Sequence, residues 1–128
     1  MESPLIYLEN VEMTYKSGRG AVQALAGINM AVKEGTFVSI IGPSGCGKST
    51  LLKIIGGLLA PSAGKVIVRG EPVEAARQKK LFGFVFQDAA LPPWRNVLDN
   101  TTLLLEIIGT QGPKAMRERA RQLLTMVA

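Results

Sequence analysis

Residues Gly42 to Thr50 read GPSGCGKST and follow the apolar run TFVSII. Three glycines, a lysine and two hydroxyls after β-favouring residues are more than an ordinary strand-to-helix junction needs. The stretch matches G-x-x-x-x-G-K-[ST] from Gly42 through Ser49, between a predicted strand and a predicted helix. Gly42, Gly45 and Gly47 permit backbone angles and close approaches that a Cβ would block. With Pro43, Ser44 and Cys46 completing the bend, the N–H groups of Gly45 to Ser49 can turn inward onto phosphate oxygens. The helix beginning near Gly47 adds roughly +0.5 charge at that point. Lys48 can reach the β- and γ-phosphates, the Ser49 hydroxyl can ligate Mg²⁺, and Thr50 is placed for the α-phosphate. The competing reading, a junction with chance glycines, does not account for the complete pattern in this context. The loop therefore implies binding of nucleotide phosphate. Cys46, at a predicted helix N-terminus, is a candidate nucleophile, but with no histidine to pair with it, it reads as an inert spacer.

The rest of the chain offers little competing chemistry. No histidine is present, which excludes His-based metal sites and Ser-His or Cys-His catalysis. One cysteine excludes an internal disulfide and suits a reducing compartment. No apolar run is long enough to span a bilayer, and MESPLIYLEN lacks a basic region leading into an apolar core. A cytoplasmic location is expected. The net charge of +5 is spread along the chain, and RQKK and RARQ are too short for a basic tail. It reads as solvated surface, with no nucleic-acid partner expected.

Leu5 to Tyr15 (LIYLENVEMTY) reads as a strand, KSGRG as a turn and AVQALAGINMAV as a second extended segment. TFVSIIG and LFGFVFQ show little alternation, the pattern of strands covered on both faces. Between them, LLKIIGG reads as a helix stopped by Gly56 and Gly57, KVIVRG as a strand, and EAARQKK as a polar stretch. ALPPWRN is a proline-rich loop, and a helical pattern runs from about Asn96 to Ile108. In the last helix Met116, Ala120, Leu123, Leu124 and Val127 have inward spacing, with Arg117, Glu118 and Arg121 outside. No cap follows Val127, which leads to the expectation of an incomplete domain.

The surroundings of the loop resemble the ATP-binding subunits of ABC transporters across essentially the whole chain. Two strands precede GPSGCGKST, LLKIIGGLLAPSAGKVIVRG is similar to the segment after that family's Walker A loop, and FGFVFQDAALPPWRNVLDN to its glutamine loop. The stretch LPPWRNVLDN resembles the nitrate, sulfonate and taurine importers most. The resemblance implies an α/β P-loop NTPase core with an antiparallel β lead-in, a parallel sheet with helices, and the start of a helical subdomain. Residues 1–95 would form the core and 96–128 the incomplete subdomain. It implies ATP and Mg²⁺ as cofactors and ATP hydrolysis coupled to uptake of a small anion. Tyr15, 27 residues before Gly42, takes the place of the adenine-stacking aromatic; the alternative is an edge-strand tyrosine. Gln87, 39 residues after Lys48, takes the place of the glutamine that ligates Mg²⁺ and positions water; the alternative is a polar strand end. Lys48 and Gln87 are thus the residues implied in catalysis.

The resemblance also implies partners: a permease subunit, a second ATP-binding subunit and, indirectly, a substrate-binding protein, at the inner face of the membrane. Ala90 to Asn96 would face the permease, with Leu91, Pro93 and Trp94 as apolar contacts and Arg95 as a rim charge. Alternatively Trp94 packs into its own helical subdomain. The signature loop, the aspartate–glutamate strand end and the switch histidine find no match. Asp88 ends an apolar run, but Ala89 follows where a glutamate would be required, so Asp88 is rejected as general base; Glu106 reads as solvent-facing. These gaps read as truncation, leaving 1–128 inactive in turnover by itself. Two other classes stay open: a non-catalytic nucleotide-binding or interaction module ending at residue 128, and a P-loop kinase of small molecules.

Overall fold

In a computed structural model, residues 3–18, 20–88 and 90–127 are described. Arg19 in the KSGRG turn, Ala89 after Asp88 and the C-terminal Ala128, each part of a sequence expectation, lie outside the described residues. The chain divides into two compact units, Met1–Phe84 and Val85–Ala128.

The first unit is built on strands β1 (Ile6–Ser17), β2 (Gly20–Val32), β3 (Ala63–Val68) and the short β4 (Glu71–Pro72), with helices α1 (Lys48–Ile55) and α2 (Val73–Gln78). The sheet order is β2-β1-β3-β4 and every pairing is antiparallel. β1 runs against β2 from Ile6↔Val32 to Ser17↔Gly20, and against β3 from Ile6↔Val68 to Glu12↔Ala63. The alternation of β1 is only partial because the strand is bulged. The register shifts between Leu8 and Val11, where Asn10 has φ 47, so Leu8, Val11 and Met13 all reach the core although Leu8 and Val11 differ in parity. Asparagine tolerates that left-handed conformation, and the Asn10 backbone N–H donates to Asn29 Oδ1 at 2.9 Å. β3 meets the bulge with Gly64, where any Cβ would strike the Asn10 carbonyl.

The core joins Leu8, Val11, Met13, Leu25, Val66 and Val68 of the sheet to Leu51 and Ile54 of α1 and to Val73 and Ala76 of α2. Burying each large aliphatic side chain contributes about 1.5–3 kcal/mol, and this contact fixes the position of α1. At its end Gly57, φ 67, lets the Leu58 N–H reach the Lys53 carbonyl at 2.8 Å, the stop expected of the glycine pair.

Two expectations are corrected. Neither TFVSIIG nor LFGFVFQ belongs to a strand, and the described sheet contains no parallel pairing. Their side chains are not covered on both faces: Phe37 is 93% exposed, Ile41 91% and Val85 95%. An apolar run becomes a strand only when a neighbour offers a complementary ladder, and the strand pairings of the described sheet include neither segment. The stretch EAARQKK is also more ordered than its polarity suggested, since α2 occupies Val73–Gln78.

The second unit contains α3 (Val97–Ile108) and α4 (Pro113–Val127). Asn96 caps α3 by accepting from the Asp99 N–H at 2.9 Å, and Gly109, φ 73, closes it. Of the apolar positions expected inward on α4, Ala120 is buried, whereas Leu123 is 36% and Val127 82% exposed. Arg117, expected outside, extends from α4 to Asp99 of α3 at 3.8 Å.

Candidate functional site

Gly42 to Thr50 connects the irregular segment after β2 to α1, whose first turn contains Lys48, Ser49 and Thr50. Gly45 has φ 79 and Gly47 φ 97, both in the left-handed region that favours glycine. Space is the second constraint on Gly47. A Cβ there would lie 2.5 Å from the carbonyl oxygen of Ala24 on β2, so only glycine lets the bend lie this close to the sheet. Because Gly47 is also the N-cap, no side chain caps α1, and its first turn holds no acidic residue. The start of the helix is thus left polar, positive and free of competing carboxylates.

Lys48 folds back along this bend. Its ammonium donates to the carbonyl oxygens of Gly42 at 2.8 Å and Pro43 at 2.6 Å, and lies 3.5 Å from Cys46 Sγ. The bend is closed further by the Cys46 N–H donating to the Pro43 carbonyl at 3.4 Å. Ser44 and Ser49 are exposed on this bend. Thr50 is half-buried, and its hydroxyl lies 3.1 Å from that of Tyr15 on β1. The structure therefore brings Tyr15 together with the loop. Tyr15 is 44% exposed, so part of its ring surface remains open.

Gln87 and Asp88 are exposed in a bend of the second unit. The following loop is held by polar contacts that sequence reasoning missed. Asn100 Nδ2 donates to the carbonyls of Pro92 at 3.2 Å and Arg95 at 2.9 Å. The Arg95 guanidinium meets Glu106 Oε1 at 2.6 Å, and the buried Thr102 hydroxyl donates to the same oxygen at 2.6 Å. Arg95, and secondarily Thr102, hold the Glu106 carboxyl below the usual glutamate range, while Glu106 pushes Arg95 up. Glu106, exposed as expected, is thus also a clasp, and Arg95 is tied through it to α3. Trp94 is 83% and Leu91 63% exposed, so neither is packed away among the described residues. The spacing Asn96-x-x-Asp99 was a visible cap signal, but nothing local marks the Arg95–Glu106 pair.

A glycine-built bend at an uncapped helix start, with a lysine folded over it and an aromatic beside it, has the form of the P-loop found in nucleotide-binding proteins. The ABC transporter family model matches residues 25–128, and the chain belongs to that family. It is 43% identical over 119 residues to a taurine import ATP-binding protein, TauB, of Burkholderia pseudomallei, covering 93% of this chain and 45% of that protein. It is 38% identical over 127 residues to the bicarbonate transport ATP-binding protein CmpD of Synechococcus elongatus, covering 97% of this chain and 44% of that one. Among solved structures, the ATP-binding cassette MJ0796, in a dimeric post-hydrolysis state bound to ADP and Pi, superposes with a TM-score of 0.83 at 39% identity, covering 94% of this chain and 56% of that one. The chain spans about half the length of the curated relatives it matches. Among the described residues no helix is long and apolar enough to cross a membrane.

Proposed function

We propose that this chain forms the nucleotide-binding part of an ABC importer's ATP-binding subunit, in which ATP binding and hydrolysis drive uptake of a small anion such as taurine, another sulfonate or nitrate. The single observation that carries the reading is the uncapped α1 start beneath Lys48, whose ammonium is satisfied by two loop carbonyls rather than by a carboxylate. Such a cation can exchange a neutral carbonyl for the stronger charge of a β- or γ-phosphate. The amides of Gly45 to Ser49 would hold the phosphates, Thr50 the α-phosphate, and the Tyr15 ring the adenine.

Mg²⁺ fits the donors available. Ser49 in the first unit is an exposed oxygen donor suited to a hard cation, and Gln87 in the second, taken by itself, is another. Among the described residues no cluster of three acidic, histidine or cysteine side chains could hold a metal unaided. The ion would arrive with the nucleotide and supply charge neutralisation at its phosphates. Residues 1–95 would act as the catalytic core segment and 96–128 as the start of the helical subdomain. The exposed Leu91 and Trp94 support a permease contact along Ala90–Asn96 at the cytoplasmic face of the membrane. Dimerisation with a second ATP-binding subunit and delivery by a substrate-binding protein complete the proposal.

Titration calorimetry of the chain with ATP, with and without Mg²⁺, tests the site: binding strengthened by Mg²⁺ is expected, and no heat of binding in either condition overturns it. The transporter assignment is tested separately by the coding sequence beyond codon 128. A serine-glycine signature loop and an apolar strand ending in Asp-Glu are expected there, and an open frame lacking both removes the assignment.

A further inference from the structure

Tyr15 and Thr50 are 35 positions apart, one near the end of β1 and the other in the first turn of α1, yet their hydroxyls meet at 3.1 Å. Both ends of this contact are anchored. Tyr15 pairs with Val22 in the β1–β2 ladder, and Thr50 precedes Leu51, which with the fully buried Ile54 fixes α1 in the core.

The hydrogen inventory of the pair is small. A phenol carries one proton, and a threonine hydroxyl carries one proton and two lone pairs. If Thr50 donates to Tyr15, its only proton is spent and it would meet an anion with lone pairs alone. If Tyr15 donates, the Thr50 proton is free for a phosphate oxygen, and accepting one bond strengthens the bond it gives. A phosphate beside Thr50 selects the second arrangement.

We propose that Tyr15 is a positioning residue whose phenol hydroxyl donates to Thr50, so that the Thr50 hydroxyl is set to donate to the α-phosphate of a bound nucleotide. This rests on Gly42–Thr50 being a nucleotide site and adds to it a role for the hydroxyl, separate from any stacking by the ring. Phenylalanine at this position keeps the aromatic face but cannot set the threonine proton.

The test is a double-mutant cycle on the full chain, with ATP and ADP affinities measured by calorimetry for the unsubstituted protein, Tyr15→Phe, Thr50→Val and the double variant. Tyr15→Phe is expected to weaken ATP and ADP by the same factor, about fivefold, because both carry the α-phosphate. That factor is expected to vanish in the Thr50→Val background and to persist in Thr50→Ser, which keeps the hydroxyl. Should Thr50→Val fail to fold, the comparison of Tyr15→Phe alone and on Thr50→Ser still decides. Binding by Tyr15→Phe equal to the unsubstituted chain overturns the proposal, as does an undiminished loss in the Thr50→Val background. Failure of the unsubstituted chain to bind ATP instead removes the nucleotide site itself.

Discussion

The Lys48 ammonium donates to the Pro43 carbonyl at 2.6 Å, so the cation is held over the bend it is expected to serve. Because its partners are neutral carbonyls, replacing it leaves no buried charge unpaired. Lys48→Ala should therefore barely change the denaturant midpoint while weakening ATP by about ten- to a hundredfold, the range for a lost charge-assisted bond. Calorimetry alongside urea unfolding separates the two effects. ATP affinity equal to that of the unsubstituted chain would show that the lysine does not meet phosphate.

Gly47 is constrained both by conformation and by space. Its φ of 97 and the 2.5 Å approach of an added Cβ to the Ala24 carbonyl act on the same residue. Gly47→Ala should cost about 1–3 kcal/mol of stability and displace the start of α1. Gly70, with φ 79 but open space around it, isolates the conformational part. Chemical denaturation of Gly47→Ala and Gly70→Ala side by side should show the larger loss at Gly47, and equal losses would mean that the contact with β2 does not matter.

The Glu106 clasp gives a signed dependence on pH. Its carboxyl is held below the ordinary value of 4.5, first by Arg95 and then by Thr102. A folded-state pKa below the unfolded one contributes stability that is complete above the ordinary glutamate value and is lost as pH falls through the lowered one. Arg95 is pushed up and stays charged throughout this window. The unfolding midpoint of Glu106→Gln should therefore lie below that of the unsubstituted chain at neutral pH, and the gap should close in acid below 4.5. A gap that is constant with pH would contradict the ion pair.

What could be read from residues alone follows the range of the interactions involved. β1, β2, β3 and α1 were legible because alternation, helical period and the Gly56–Gly57 stop are local signals. The bend was legible for the same reason, its glycines answering to backbone angles within a few residues. TFVSIIG and LFGFVFQ were misread because a strand also requires a neighbour, which a single run cannot reveal. The Tyr15–Thr50 and Arg95–Glu106 contacts join residues 35 and 11 positions apart through side-chain direction, so each member could be named and the pair could not.

Trp94 carries the last prediction. It is 83% exposed within a loop whose backbone is held by Asn100 donating to the Pro92 and Arg95 carbonyls. A large aromatic left open on an ordered loop stabilises its own unit little, so Trp94→Ala should shift unfolding by no more than about 0.5 kcal/mol. A rigid aromatic of this kind loses little entropy on docking and is enriched where partners meet. The same substitution should weaken assembly with the proposed permease subunit by about 2 kcal/mol, and Asn100→Ala should weaken it too by releasing the loop. Co-purification of each variant with the permease subunit in detergent measures this. Retention of full assembly by Trp94→Ala, with the fold intact, would remove Ala90–Asn96 as the contact.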